Sequence, residues 1–281
     1  MNTRTITSSK IKKFKQHLLN DEKSISTIDK YIRDITRFMD FAAGRSIDKS
    51  LIMEYKRKLE ESYAITSANS MLAALNSFLK FNNWHDCCVK QFRIQQQGFC
   101  PEEKALTYEE YRRLVLSARA GGNERLTLMM QTICGTGIRI SELEYITVES
   151  LARGEAVVNC KGKLRTVFIV KELREILMRY AKIQGIISGP IFVTREGKPL
   201  DRTNAWREMK ELCQKAQVPE TKVYPHNLRH LFAKTFYDLD KDIAKLAELL
   251  GHTSINTTRL YIMATETEYK QSMESMRIIV K

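Results

Sequence analysis

Proline is missing from the first hundred residues of this 281-residue chain, its five prolines all lying later, and the same stretch holds only two glycines, Gly44 and Gly98. A segment without those breakers runs as uninterrupted helices and lacks the turns of a hairpin-rich sheet. Nowhere do about 18 apolar residues follow one another, which excludes a membrane-spanning helix. The opening MNTRTITSSKIKKFKQ has no apolar core of the kind a secretory signal needs. Six cysteines (Cys87, Cys88, Cys100, Cys134, Cys160 and Cys213) form no CxxC pair and no regular framework, so reduced thiols in a cytoplasm are expected. Acidic residues are also short. Against 46 Lys and Arg stand 33 Asp and Glu, a formal charge of +13, and such an excess favours a polyanionic partner.

What the first hundred residues do contain is helical periodicity and positive charge. Ile11, Phe14, Leu18 and Leu19 form one stripe. Ile28, Tyr31, Ile32, Ile35, Phe38 and Met39 form a second behind a cap at Ser26 or Thr27, a third helix begins near Asp48, and a fourth runs from Thr66 to Phe81. Here 17 basic residues face 10 acidic ones, supplying +7 of the total. An all-helical, DNA-clamping domain over residues 1–98 is expected, although the same charge would also suit a solvated bundle surface. Periodicity then lapses in QQQGFCPEEKALT, and residues 99–106 read as a linker.

Residues 107–281 read as a second domain, mainly α with a small β-sheet. Thr107 caps a helix, and LTLMMQTIC supplies an apolar helix for the core, ending in Gly135-Thr136-Gly137-Ile138-Arg139 with Glu142 three residues on, where it can brace the arginine. A hairpin is expected from 156–160 and 165–170, its tip Lys161-Gly162-Lys163 presenting amines. A helix follows over 171–185, then a short extended element at 190–193 and a helix from Thr203 or Asn204 to Gln217.

The densest chemistry lies in PHNLRHLFAKTFYDLDKDIAKLAELLGHTSINTTRLY, residues 225–261. Leu228, Leu231, Phe232, Phe236 and Leu239 recur as a packing stripe, while His226, Arg229 and His230 share another face of the same helix. Asp242 to Leu250 is a second helix that stops at Gly251, leaving His252 in a turn, and a short helix from Ile255 is expected to carry Arg259 and Tyr261. Zinc is disfavoured, because Asn227 stands where a metalloprotease needs Glu and Arg229 puts a fixed charge between the histidines. A helix-turn-helix over 242–261 is a competing possibility for this segment.

Taken together, GTGIRISEL, the Lys161 hairpin, HNLRH at 226–230, LGH at 250–252 and Tyr261 resemble the tyrosine recombinase (phage integrase) family, in its simple two-domain Xer-like or transposon-encoded form. The resemblance implies an N-terminal core-binding domain and a catalytic domain, with Arg139 and Arg229 holding a scissile phosphate. Lys161 would protonate the leaving 5′ oxygen, His226 would act as acid and base, His252 would donate to the phosphate, and Tyr261 would be the nucleophile, with Glu142 and His230 supporting. The hairpin is shorter than the family's usual GKGxKxR, which leaves Lys163 as an alternative to Lys161. No cofactor and no metal are implied. Partners would be duplex DNA with inverted-repeat core sites and three further copies of the chain in a homotetramer passing through a Holliday junction, and residues 265–281 would form an exchange tail. A type IB topoisomerase shares the residue set but reseals the same strand, and a non-catalytic DNA-binding regulator would need only the helix-turn-helix.

Such a set suits the reaction physically. A phosphodiester gains negative charge in its pentacovalent transition state, which planar guanidinium forks stabilise more than the ground state. A phenol with an ordinary pKa near 10 needs a base beside it, and an alkoxide leaving group needs an acid.

Overall fold

Capping side chains decide where most of the first helices begin. In the computed structural model, which describes residues 4–94, 98–160, 163–194, 197, 200 and 202–278 apart from the side chains of Cys160 and Lys163, α1 (Ser8–Asn20) starts behind Thr7, whose hydroxyl accepts the Lys10 N–H at 3.3 Å. Helix α2 (Ile25–Ala42) starts behind Ser24, ahead of the cap expected at Ser26 or Thr27, because the Ser24 hydroxyl reaches both the Thr27 N–H at 3.4 Å and the Thr27 hydroxyl at 2.8 Å. Asp48 caps α3 (Lys49–Ser62) at 2.8 Å from the Leu51 N–H, and α4 (Ile65–Phe81) has no side-chain cap.

The chain divides into two units, Met1–Gln96 and Gln97–Lys281. In the first, Phe14, Ile35, Phe38, Ile52, Leu72 and Phe78 are fully buried, each contributing roughly 1.5–3 kcal/mol of transfer free energy. After α4 the chain runs extended beside that helix. Asn76 pairs with the main chain of Val89 (2.8 and 3.0 Å) and Asn69 with that of Phe92 (2.9 and 2.7 Å), each amide both donating and accepting. The spacings agree: seven helical residues and three extended ones both cover about 10 Å.

The second unit opens with α5 (Tyr108–Ala120), which carries a full capping box between Thr107 and Glu110. Helix α6 (Glu124–Thr136) lies in the core, with Leu128, Met129, Met130 and Ile133 buried. Then come α7 (Val148–Arg153), strands β1 (Glu155–Cys160) and β2 (Lys163–Phe168), and α8 (Lys171–Ile183). The strands pair antiparallel from Glu155 opposite Phe168 to Cys160 opposite Lys163, and among the described residues they are the whole sheet, with an isolated bridge from Thr147 to Pro190. The helix expected to reach Gln217 is two: α9 (Arg202–Glu211) and the single turn α10 (Cys213–Ala216).

Helix α11 (Pro225–Asp240) packs along α6, Leu228 and Leu231 joining its core, while Ala233 joins Leu246, Leu250 and Tyr261 in a smaller cluster. Its last turn projects beyond that core, so Leu239, expected on the packing stripe, is 84% exposed. Helices α12 (Ile243–Leu250), α13 (Ile255–Arg259) and α14 (Glu266–Ser275) complete the chain.

Gly137 ends α6 in the left-handed region, φ 65°, and a Cβ there would run into the Phe232 ring of α11. Gly137→Ala is therefore expected to lower stability by about 2 kcal/mol or more. Chemical denaturation of the full chain measures this, and an unchanged midpoint would contradict the packing described.

Candidate active site

Proline at the first position of α11 sets the helix start, and His226, Arg229 and His230 then fall on one face at i, i+3 and i+4. Arg229 has no solvent exposure. Its Nη1 donates to the Gly137 carbonyl and its Nη2 to the Leu250 carbonyl at 2.6 Å, with His252 Nε2 3.1 Å from the same nitrogen. Gly137 and Gly251 are the left-handed caps of α6 and α12, so the guanidinium sits where the negative ends of two helices meet. Burial, and then the charge of Arg139, pull its pKa down to about 10, which leaves it cationic at neutral pH. Its Nε is buried without a hydrogen-bond partner among the described residues.

A second arginine is held by a carboxylate. Glu142 accepts from Arg139 twice, the Nη1 at 2.7 Å and the main-chain N–H at 2.9 Å, and from Arg165 Nη2 at 2.5 Å. Its side chain is 4% exposed. Burial alone would raise its pKa, but the Arg139 N–H and the two guanidiniums outweigh that and hold it below the usual carboxylate range. Arg165, on β2, also donates to the Leu249 carbonyl at 2.8 Å and crosses the space that a side chain on Gly251 would fill. The hairpin, the Arg139 loop and the turn bearing His252 are thus joined through one carboxylate and one arginine.

Tyr261 does not lie in a helix as expected. Helix α13 ends at Arg259, and the Tyr261 N–H bonds the Thr258 carbonyl at 2.9 Å in a turn. The phenol is nonetheless 8% exposed, and its Oη is 2.9 Å from His226 Nε2. His252 bonds Thr258 Oγ1 through Nδ1 at 2.9 Å and Arg229 through Nε2. Burial first, then the arginine charges, depress His226 below its ordinary value, and the same causes bring His252 to about 4. Burial and neighbouring His226 bring His230 to about 4 as well. All three rings are neutral at pH 7, and a neutral His226 can accept the phenol's proton.

Arg139, His226 and Arg229 face a cleft of about 500 Å³ whose opposite side is Arg202, Thr203 and Trp206 of α9. The structure brings Arg139, Glu142, His226, Arg229, His230, His252 and Tyr261 together. Lys161 lies outside the described residues, as does the Lys163 side chain. Three contributors were missed from sequence: Arg165, Thr258 and the α9 residues. Arg165 follows the hairpin lysines and was visible as a motif residue, but its partner Glu142 shows only once the strand register is known. Among the described residues no three His, Cys, Asp or Glu side chains converge as a metal site requires. Nor, among the described residues, is any helix long and apolar enough to cross a membrane.

Residues 104–268 match the phage integrase family, and residues 11–85 match the phage integrase N-terminal SAM-like domain. The chain belongs to the phage integrase family. It is accordingly an enzyme of the tyrosine-type site-specific recombinases. Tyrosine recombinase XerA of Pyrococcus furiosus is 28% identical over 288 residues, covering 99% of this chain and 98% of its own. The fold is that of XerH site-specific recombinase bound to palindromic difH substrate (TM-score 0.74, 18% identity, 95% of this chain and 84% of that one). A lambda integrase tetramer bound to a Holliday junction also shares it (TM-score 0.73, 16% identity, 90% and 76%).

Two outcomes follow from this geometry. Glu142→Ala strands two guanidiniums without their counter-charge and is expected to cost about 3–5 kcal/mol in denaturant titration; a loss within experimental error would mean that the carboxylate is not holding them. The histidines set a pH dependence. His230 and His252 titrate near 4 when folded against an ordinary 6.5, so between those values the unfolded chain binds more protons. Their stabilisation is complete above about pH 6.5 and is lost as pH falls towards 4. Melting temperature should decline over that window, with a shallower slope in His230→Gln and His252→Gln variants; parallel slopes would contradict the depressed values.

Proposed function

We propose that the chain cuts and rejoins duplex DNA at paired inverted-repeat core sites in the cytoplasm, four copies acting together, through a 3′-phosphotyrosine at Tyr261 and a Holliday junction. The observation that carries this is the 2.9 Å contact between Tyr261 Oη and His226 Nε2 beside the cleft that Arg139 and Arg229 line. In this scheme His226 takes the phenolic proton, and Arg139, Arg229 and His252 stabilise the charge that grows on the non-bridging oxygens. The new P–O(Tyr261) bond replaces the P–O5′ bond, whose oxygen is protonated by Lys161, or by Lys163 as the alternative. The bond energy stays in the phosphotyrosine, so the reverse attack by a 5′ hydroxyl reseals DNA without an added energy source.

DNA gripping is assigned to residues 1–98, joined by the linker 99–106 to the catalytic residues 107–281. A groove between α2 and α4 supports it: Arg33 and Arg37 line it with Thr66, Ser67 and Ser70, groups suited to phosphates, while the Lys30 beside them is paired with Asp34 at 2.6 Å. The tail 265–281 is assigned to contact between copies. Its first turns are tied to their own unit by an ion pair of Lys234 with Glu268 and an edge contact of Phe99 with Tyr269, whereas Met273, Met276 and Ile278 are exposed. No residue of α14 is buried, so the tail is open to a neighbour along its described length, most of all at its apolar end.

A duplex selected from a randomised pool by detergent-resistant attachment to the unmodified chain provides the test substrate. Tyr261→Phe should abolish attachment and retain binding, and an adduct on another residue would overturn the scheme. Arg139→Lys and Arg229→Lys should each slow cleavage about 10²-fold or more, since an ammonium cannot replace a planar fork. A sulfur at the 5′ bridging position should restore cleavage to whichever of Lys161→Ala and Lys163→Ala lacks the general acid, because a thiolate departs without a proton. Truncation after Ser275 should preserve single-site binding and abolish four-copy complexes, and normal strand exchange by that variant would free the tail of this role.

A further inference from the structure

Tyr261 poses a positioning problem. It follows the last residue of α13 by two positions, and the next helix begins only at Glu266, so no continuous helical ladder fixes its main chain. Three imidazoles surround its ring, and two have evident tasks. His226 bonds the Oη, its ring edge-on at 71°. His252 uses both nitrogens, on Thr258 and Arg229, and its ring is tilted at 57°. His230 is different: its ring lies nearly parallel to the phenol, 14° between planes and 4.0 Å between centroids.

We propose that His230 is a positioning residue for the nucleophile, a flat platform on α11 that fixes the plane of the Tyr261 ring. This rests on Tyr261 being the nucleophile. A parallel contact resists tilting yet lets the phenol slide in its own plane, the motion needed to carry Oη from His226 to a phosphorus atom in the cleft. His230 sits one residue beyond Arg229 and one helical turn beyond His226, so the residues that hold the phosphate and the proton share one rigid element with the platform. Ala233, Leu246 and Leu250 share an apolar cluster with Tyr261, and the Arg229 guanidinium lies over the phenol at 5.8 Å, but neither is a flat ring parallel to it. His230 also meets the His226 ring at 80° and 5.0 Å, so loss of its ring could act on either neighbour, and the experiment must separate the two.

The separation comes from the identity of the nucleophile. On the selected duplex, His230→Ala should slow single-turnover attachment about 10²-fold, with DNA binding unchanged. His230→Phe, which keeps a flat ring, should recover most of the rate, and His230→Leu, which fills space without a plane, should not. In a Tyr261→Ala background hydrogen peroxide supplies a hydroperoxide anion that attacks the same phosphorus and expels the same 5′ oxygen. Adding His230→Ala there should change peroxide-driven cleavage by less than about twofold, since no tyrosine remains to be placed. Equal losses in the tyrosine and peroxide reactions would overturn the proposal, because His230 would then be supporting His226 or Arg229. So would rescue by Leu equal to that by Phe, or full-rate attachment by His230→Ala. Attachment persisting in Tyr261→Ala would instead overturn the nucleophile assignment itself, a result distinct from all of these.

Discussion

The second unit depends on the burial of one positive charge. Arg229 has no exposure and, among the described residues, no carboxylate in direct contact; the carbonyls that end α6 and α12 accept its hydrogen bonds instead. A buried guanidinium without such acceptors would be intolerable. The two helices must therefore stop where they do, and the two left-handed glycines that stop them are bound up with the same charge. The fold holds the site together, and the site's central charge in turn fixes the ends of the fold's helices.

Charge bookkeeping around the cleft is equally constrained. Among the described residues Arg139 and Arg165 share the carboxylate Glu142, Arg229 adds a positive charge without an ion pair, and burial holds His226, His230 and His252 below the ordinary imidazole value. In the proposed scheme that positive excess favours a phosphodiester most when it is five-coordinate and carries its second negative charge.

Much of this was legible in the sequence because it is local. Helical spacing alone puts His226, Arg229 and His230 on one face, and Gly251 alone signals the end of α12. Thr107 caps the helix expected of it, and the third helix begins beside Asp48 as read. What could not be read is what depends on pairing over distance. Arg165 meets Glu142 across 23 positions and Tyr261 meets His226 across 35. The carbonyls around Arg229 are harder still, since a main-chain oxygen looks the same at every residue. Tyr261 was expected on the short helix that starts at Ile255, but the segment turns after Arg259, and that turn brings the phenol into the group of rings.

The paired asparagines of α4 have a mechanical meaning. Load arriving at the first unit from its C-terminal side meets Phe92 and Val89 before it reaches the end of α4. The extended segment runs antiparallel to the helix, so a pull directed along it loads the four hydrogen bonds at Asn69 and Asn76 in parallel, and the helix bundle behind them is spared until they fail.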